Sequence, residues 1–225
     1  MIAVLGMTSL FKTVIKNSVN ASKDARITSE RAAAFLIADM YLHDAGFGID
    51  TEGDLDTNLL LLKSAVLPSS GKGKLSAGKD PDDNTIVPVP VNIASPGAYK
   101  ENTTIIWRFK QALPSPPDYS PEPEPEPHCA GLHTTATGIY YLNPVKCTDV
   151  QSSLARTWET QKLVHDLAFE ITLERKDSGL CSGFGVAGTS YLSVKLETKH
   201  SLGEGDDADK ISLSSSTCLL NFSKP

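Results

Sequence analysis

The sequence predicts an α+β fold in which one long N-terminal helix packs on an antiparallel β-sheet head. Two observations carry that prediction. Residues 7–45 contain neither proline nor glycine, and the later stretches alternate apolar and polar residues between turn signals.

The helix is read as one element from Met1 to about Ala45. Its second half repeats Ile27, Ala34, Ile37 and Tyr41 at spacings of three and four, with Ala33, Leu36 and Met40 beside them, which makes one apolar stripe. Phe35, Leu36, Met40 and Tyr41 are therefore expected to pack on the head. Ala45-Gly46-Phe47-Gly48 supplies the stop. At 1.5 Å per residue such a helix is about 65 Å long, roughly twice the width of a domain of this size. One end must protrude, and it is the uncharged end that includes Met1, Ile2, Val4, Leu5, Leu10 and Phe11. Exposed alone it would be unfavourable in water, so it needs a bilayer or a bundle of like helices. The chain thus divides into a helix over 1–48 and a β-rich head over 49–225.

In the head, Asp50, Glu52, Asp54 and Asp56 surround Gly53 and lead into a short buried segment, Leu59 to Leu62. Residues 68–99 hold five prolines and read as an irregular connection. A strand from Thr103 to Ala112 places Ile105, Trp107 and Phe109 on one face. The Pro/Glu-rich stretch 114–127 reads as an extended polyproline rod or a solvated loop. Further strands are expected at Gly138 to Leu142 and at Lys162 to Leu173, the latter aligning Leu163, His165, Leu167, Phe169 and Ile171. Two more, Thr189 to Thr198 and Lys210 to Phe222, are joined by a charged hairpin loop from Lys199 to Asp209.

With 21 basic against 27 acidic residues, net charge -6 and a sequence pI of about 5.4, the chain has no general footprint for nucleic acid. No uninterrupted apolar run reaches the roughly 18 residues of a membrane-spanning helix. The four cysteines, Cys129, Cys147, Cys181 and Cys218, form no C-x-x-C pair, so disulfides are expected rather than zinc or redox chemistry. Of the three connectivities, the one that joins sequence neighbours is favoured: Cys129 with Cys147 and Cys181 with Cys218.

His128-Cys129-Ala-Gly-Leu-His133 fits no structural zinc spacing and reads as two surface histidines beside a disulfide cysteine. His165 reads as a core histidine, and Gly183 to Gly188 as a turn, since no helix follows to make it a dinucleotide fingerprint. There is no Gly-x-Ser-x-Gly, and nothing sets a nucleophile, base and orienter together, so the chain is not read as an enzyme. No cofactor is expected beyond calcium, for which the acids Asp50, Glu52, Asp54 and Asp56, or Asp206, Asp207 and Asp209, are candidates. Neither set spells an EF-hand, and a solvated acidic loop is the plainer account of both.

Two segments carry a family resemblance. Met1-Ile-Ala-Val-Leu-Gly resembles the continuation of a type IV prepilin N-terminus. Arg31-Ala-Ala-Ala-Phe-Leu-Ile-Ala-Asp-Met-Tyr-Leu-His-Asp-Ala-Gly-Phe-Gly48 resembles the end of the long helix in PilW-type minor pilins and PulJ/GspJ-type pseudopilins. The stretches Asn102 to Phe109, Lys162 to Ile171 and Ser190 to Glu197 agree in order and spacing. The family's leader and extreme mature N-terminus are missing upstream of Met1, which the resemblance leaves to a late-assigned start, a trimmed N-terminus or a copy that has lost processing. The resemblance implies a structural subunit at the tip of a type IV pilus or type II secretion pseudopilus that helps to initiate assembly. The head would be periplasmic, the helix held in the inner membrane before assembly, and the partners other minor pilins or pseudopilins. The alternative is a binding module at such a tip, holding DNA through lysines such as Lys72, Lys74 and Lys79, or a surface or an adhesin.

Overall fold

Residues Ile2–His43 form one uninterrupted helix, α1. The computed structural model describes residues 2–49, 55–68, 71–78, 87–110, 126–165, 168–176, 179–180, 187–188, 191–202 and 209–222. The absence of breakers lets α1 propagate, and glycines stop it: Gly46 and Gly48 take φ of 75° and 67°, where a side chain is strained. A Cβ at Gly46 would also lie 2.9 Å from the Phe222 ring.

After α1 come a short helix, α2 (Leu55–Asn58), and the strands β1 (Leu59–Leu62), β2 (Lys72–Gly73), β3 (Gly97–Asn102), β4 (Thr104–Lys110), β5 (Pro127–Thr135) and β6 (Gly138–Lys146). Then follow β7 (Trp158–His165), β8 (Phe169–Lys176), β9 (Gly179–Leu180), β10 (Ala187–Gly188), β11 (Tyr191–Leu202) and β12 (Asp209–Cys218). One antiparallel sheet has the order β1-β4-β5-β6-β7-β2, a second β12-β11-β8-β3, and β9 and β10 form a ribbon.

The lower part of α1 lies against a core drawn from both sheets, with Ile105, Trp107, Leu132 and Ile139 from one and Phe169, Ile171, Val194 and Leu196 from the other. A second core covers the outer face of the six-stranded sheet and contains Ile106, Leu142, Trp158 and the Cys129–Cys147 disulfide. These two cores explain the Leu59–Leu62 run: Leu59 and Leu61 enter the first, Leu60 and Leu62 the second. The open edge of β1 is met by an extended segment in which Pro90 bridges Leu62 and the Val91 N–H donates to the Leu61 carbonyl at 2.8 Å.

Ile105, Trp107 and Phe109 share a face, as their alternation requires. Several expectations need correction. The stretch from Lys162 to Leu173 is not one strand: β7 and β8 belong to different sheets, and the same alternation runs on through the crossing. β5 is a strand beyond those expected, because its Pro, His, Ala and Gly residues carry little strand signal. The proposed loop from Lys199 to Asp209 is shorter, because β11 and β12 pair as far as Leu202 with Asp209. The connection 68–99 contains β2 and the start of β3. The Pro/Glu stretch lies outside the described residues up to residue 125, and Pro127 opens β5.

Cys129 and Cys147 are bonded as expected, and Cys218 is also in a disulfide; Cys181 lies outside the described residues. Replacing Cys129 and Cys147 together by alanine should destabilise the fold by about 2–4 kcal/mol, given the loop they close. Urea unfolding of the variant beside the native chain measures this, and equal midpoints would remove the disulfide from the account of stability.

Candidate functional site

The feature that the fold leaves unexplained is α1 itself. Its lower half is seated by small residues: Ala34 and Ala38, with Ala45 in the turn that follows, are fully buried and bring the backbone close to the sheets, and Leu42 is buried between Ala38 and Ala45. Phe35 meets Phe169 edge to face at 5.8 Å between ring centroids, and Tyr41 stacks on Tyr141 at 3.7 Å. Burial, with Tyr41 and Asp44 adding to it, raises the Tyr141 phenol well above its ordinary value, so it stays neutral. Asp39 accepts a hydrogen bond from Thr217 Oγ1 at 2.5 Å, and the Gly46 N–H donates to the Arg108 carbonyl at 3.0 Å.

The upper half is different. Phe11 is 65% exposed and Val14, Ile15 and Val19 are similarly open. The side chains of residues 1–10, which include the candidates Met1, Ile2, Val4, Leu5 and Leu10, lie outside what is described. Among the described residues, no helix is long and apolar enough to cross a membrane.

The expectation that Leu36 and Met40 pack on the head is overturned: they are 73% and 58% exposed. At about 100° per residue they fall on the side of α1 opposite Ala34 and Ala38. That is the side that carries Phe11 and Ile15, which precede them by about 25 residues, roughly seven turns. The sequence stripe was broader than one face, and alanine rather than the larger residues chose the buried side. Phe35 and Tyr41 do pack against the core.

His128 and His133 cannot share a metal, because five residues along β5 place them on opposite faces. His133 is not a surface residue: it is buried, with Nδ1 2.7 Å from Thr104 Oγ1. His165's side chain, and most of Gly183 to Gly188, lie outside the described residues. So do Asp50, Glu52, Asp54, Asp206 and Asp207, and the side chain of Asp209; Asp56 is exposed on α2. Among the described residues no three His, Cys, Asp or Glu are grouped to hold a metal ion. Lys72 is tied to Glu159 at 2.5 Å, and Lys79 is outside the described residues. A shallow cleft of about 200 Å³ beside β1 has Asp56, Asn92 and Gln151 as its polar lining. No protein-family model, curated protein or solved structure matches the chain.

The buried histidine gives a pH test of the packing. Burial lowers His133 from about 6.5 to about 4. Between those values the unfolded chain takes up a proton that the folded one does not, so stability falls as pH drops through this window, by about 3 kcal/mol, and is level above it. Thermal melts from pH 7 to pH 4 should show that slope. A variant with His133→Leu and Thr104→Val together, which leaves neither partner orphaned, should show it reduced.

Proposed function

We propose that the chain is a structural subunit, a minor pilin or pseudopilin, at the tip of a type IV pilus or type II secretion pseudopilus, where it helps to initiate fibre assembly. The observation that carries this reading is the division of α1. One continuous helix packs one side against two sheets below and exposes Phe11, Val14, Ile15 and Val19 above. Apolar side chains on a protruding rod are stable only when something covers them. In this reading the inner membrane covers them first, and the helices of neighbouring subunits cover them in the fibre. The Cys129–Cys147 disulfide supports a head outside the cytoplasm, where such bonds persist. The partners are other minor pilins or pseudopilins, contacted through α1 and the head.

The test separates assembly from folding. Deleting Met1 to Lys12 should yield a soluble head whose melting temperature is unchanged, because the buried half of α1 keeps Ala34, Ala38 and Leu42, but which no longer enters fibres. Leu5→Asp or Leu10→Asp should act in the same direction, since a charge at bilayer depth costs several kcal/mol unless paired. Fibre incorporation and thermal melting are the two measurements. Normal assembly of the truncated chain would defeat the proposal and favour a head that works alone.

A further inference from the structure

Among the described side chains of α1, Arg31 is the first that is buried, 2% exposed, at the point where the helix leaves the head; residues 11–30 are all exposed or half-exposed. Its Nε and Nη2 are buried and have no hydrogen-bond partner. Those two nitrogens share one edge of the guanidinium, and their N–H bonds run parallel, which is the geometry that grips a carboxylate with two prongs. A second orphan is Thr198 Oγ1, also buried and without a partner.

Contacts of neighbouring residues bring the two orphans to the same end of the head. Phe35, one turn from Arg31, packs on Phe169, and Phe169 is the cross-strand neighbour of Thr198, so both point to the helix side of the sheet. Asp39 bonds to Thr217, which pairs with Val194. From there to Arg31 is about 12 Å along the helix, and from Val194 to Thr198 about 13 Å along the strand. Both spacings carry Arg31 and Thr198 toward the same end of the helix–sheet contact, within about a turn of each other.

Among the described residues, the nearby carboxylates are engaged elsewhere. Glu30 holds Arg26 at 2.8 Å, Asp39 holds Thr217 and lies 3.4 Å from His43, and Glu197, on the opposite face of β11 from Thr198, holds Lys195 and Ser212. A buried guanidinium with two unused donors is unfavourable until an acceptor arrives.

We propose that Arg31 and Thr198 form a carboxylate-binding site at the mouth of the head, filled from outside the fold. One carboxylate supplies both acceptors for the Arg31 edge and a further lone pair for the Thr198 hydroxyl. It comes either from a small dissolved acid or from an acidic group of a neighbouring chain lying along the protruding helix; the second source rests on the fibre reading above.

The experiment uses the full chain, ¹⁵N-labelled, in detergent, with the Arg31 Nε–H resonance assigned by its loss in Arg31→Lys. That variant keeps the charge but not the fork. Sodium acetate is titrated against sodium chloride at equal ionic strength. A saturable shift of this resonance, with a rise in melting temperature that is lost in Arg31→Lys and reduced in Thr198→Val, establishes the site and a dissolved source. A shift that appears only as chain concentration rises, with self-association weakened in Arg31→Lys, establishes the site and a neighbouring chain. No shift under either condition overturns the proposal. If the truncated chain assembles normally, the fibre reading fails while the acetate titration still decides the site.

Discussion

The close seating of α1 against both sheets is the constraint on which the rest of the molecule depends. Ala34, Ala38 and Ala45 have no bulk to hold the helix away, so larger side chains from the sheets, such as Trp107, Leu132 and Val194, fill the space against it. Phe35 and Tyr41 flank the alanine row and reach to opposite sides, Phe35 to β8 of the four-stranded sheet and Tyr41 to β6 of the six-stranded one. One helix thus ties two sheets together. A larger residue in the alanine row would overpack both interfaces at once.

Burial supplies the energy of this seating, and polar contacts set its register. Asp39 to Thr217 fixes the helix against β12, while the Gly46 N–H, the Phe47 carbonyl and the Ala45 carbonyl bond to Arg108, Lys110 and the Asn221 side chain. Each such bond adds on the order of 1 kcal/mol, too little to hold a helix but enough to choose among near-equal positions. Gly46 belongs to this set, because the Phe222 ring occupies the space that any side chain there would need.

What could be read from the sequence follows from which signals are local. The length of α1, its glycine stop and the shared face of Ile105, Trp107 and Phe109 rest on spacing within one element, and they hold. The orientation of α1 does not, because Leu36 and Ala34 both belong to a wide apolar stripe and only the sheets decide which side is closer. The crossing between β7 and β8 leaves no mark in the alternation. β5 escaped notice because both its faces are covered, so Gly131 and His133 can serve as interior residues without strand-like composition. Arg31 is the plainest gap at the site: nothing local in the sequence distinguishes this buried arginine from Arg26, which is solvated and paired with Glu30.

The rod-like continuity of α1 links what happens at its two ends. Sharp bends in helices come from proline, glycine, bulges or inserted groups, and residues 7–45 hold neither of those residue types. Phe11 and Ile15 therefore lie in line with Leu36 and Met40 on the same side of the same rod, so in the proposed fibre a helix running along that side would meet all four. Covering the upper half fixes the direction in which the head faces, since the head grips the opposite side of the lower half through Ala34, Ala38 and Leu42. Arg31 stands at the boundary between the two halves, the outermost position on the described part of α1 that the head buries.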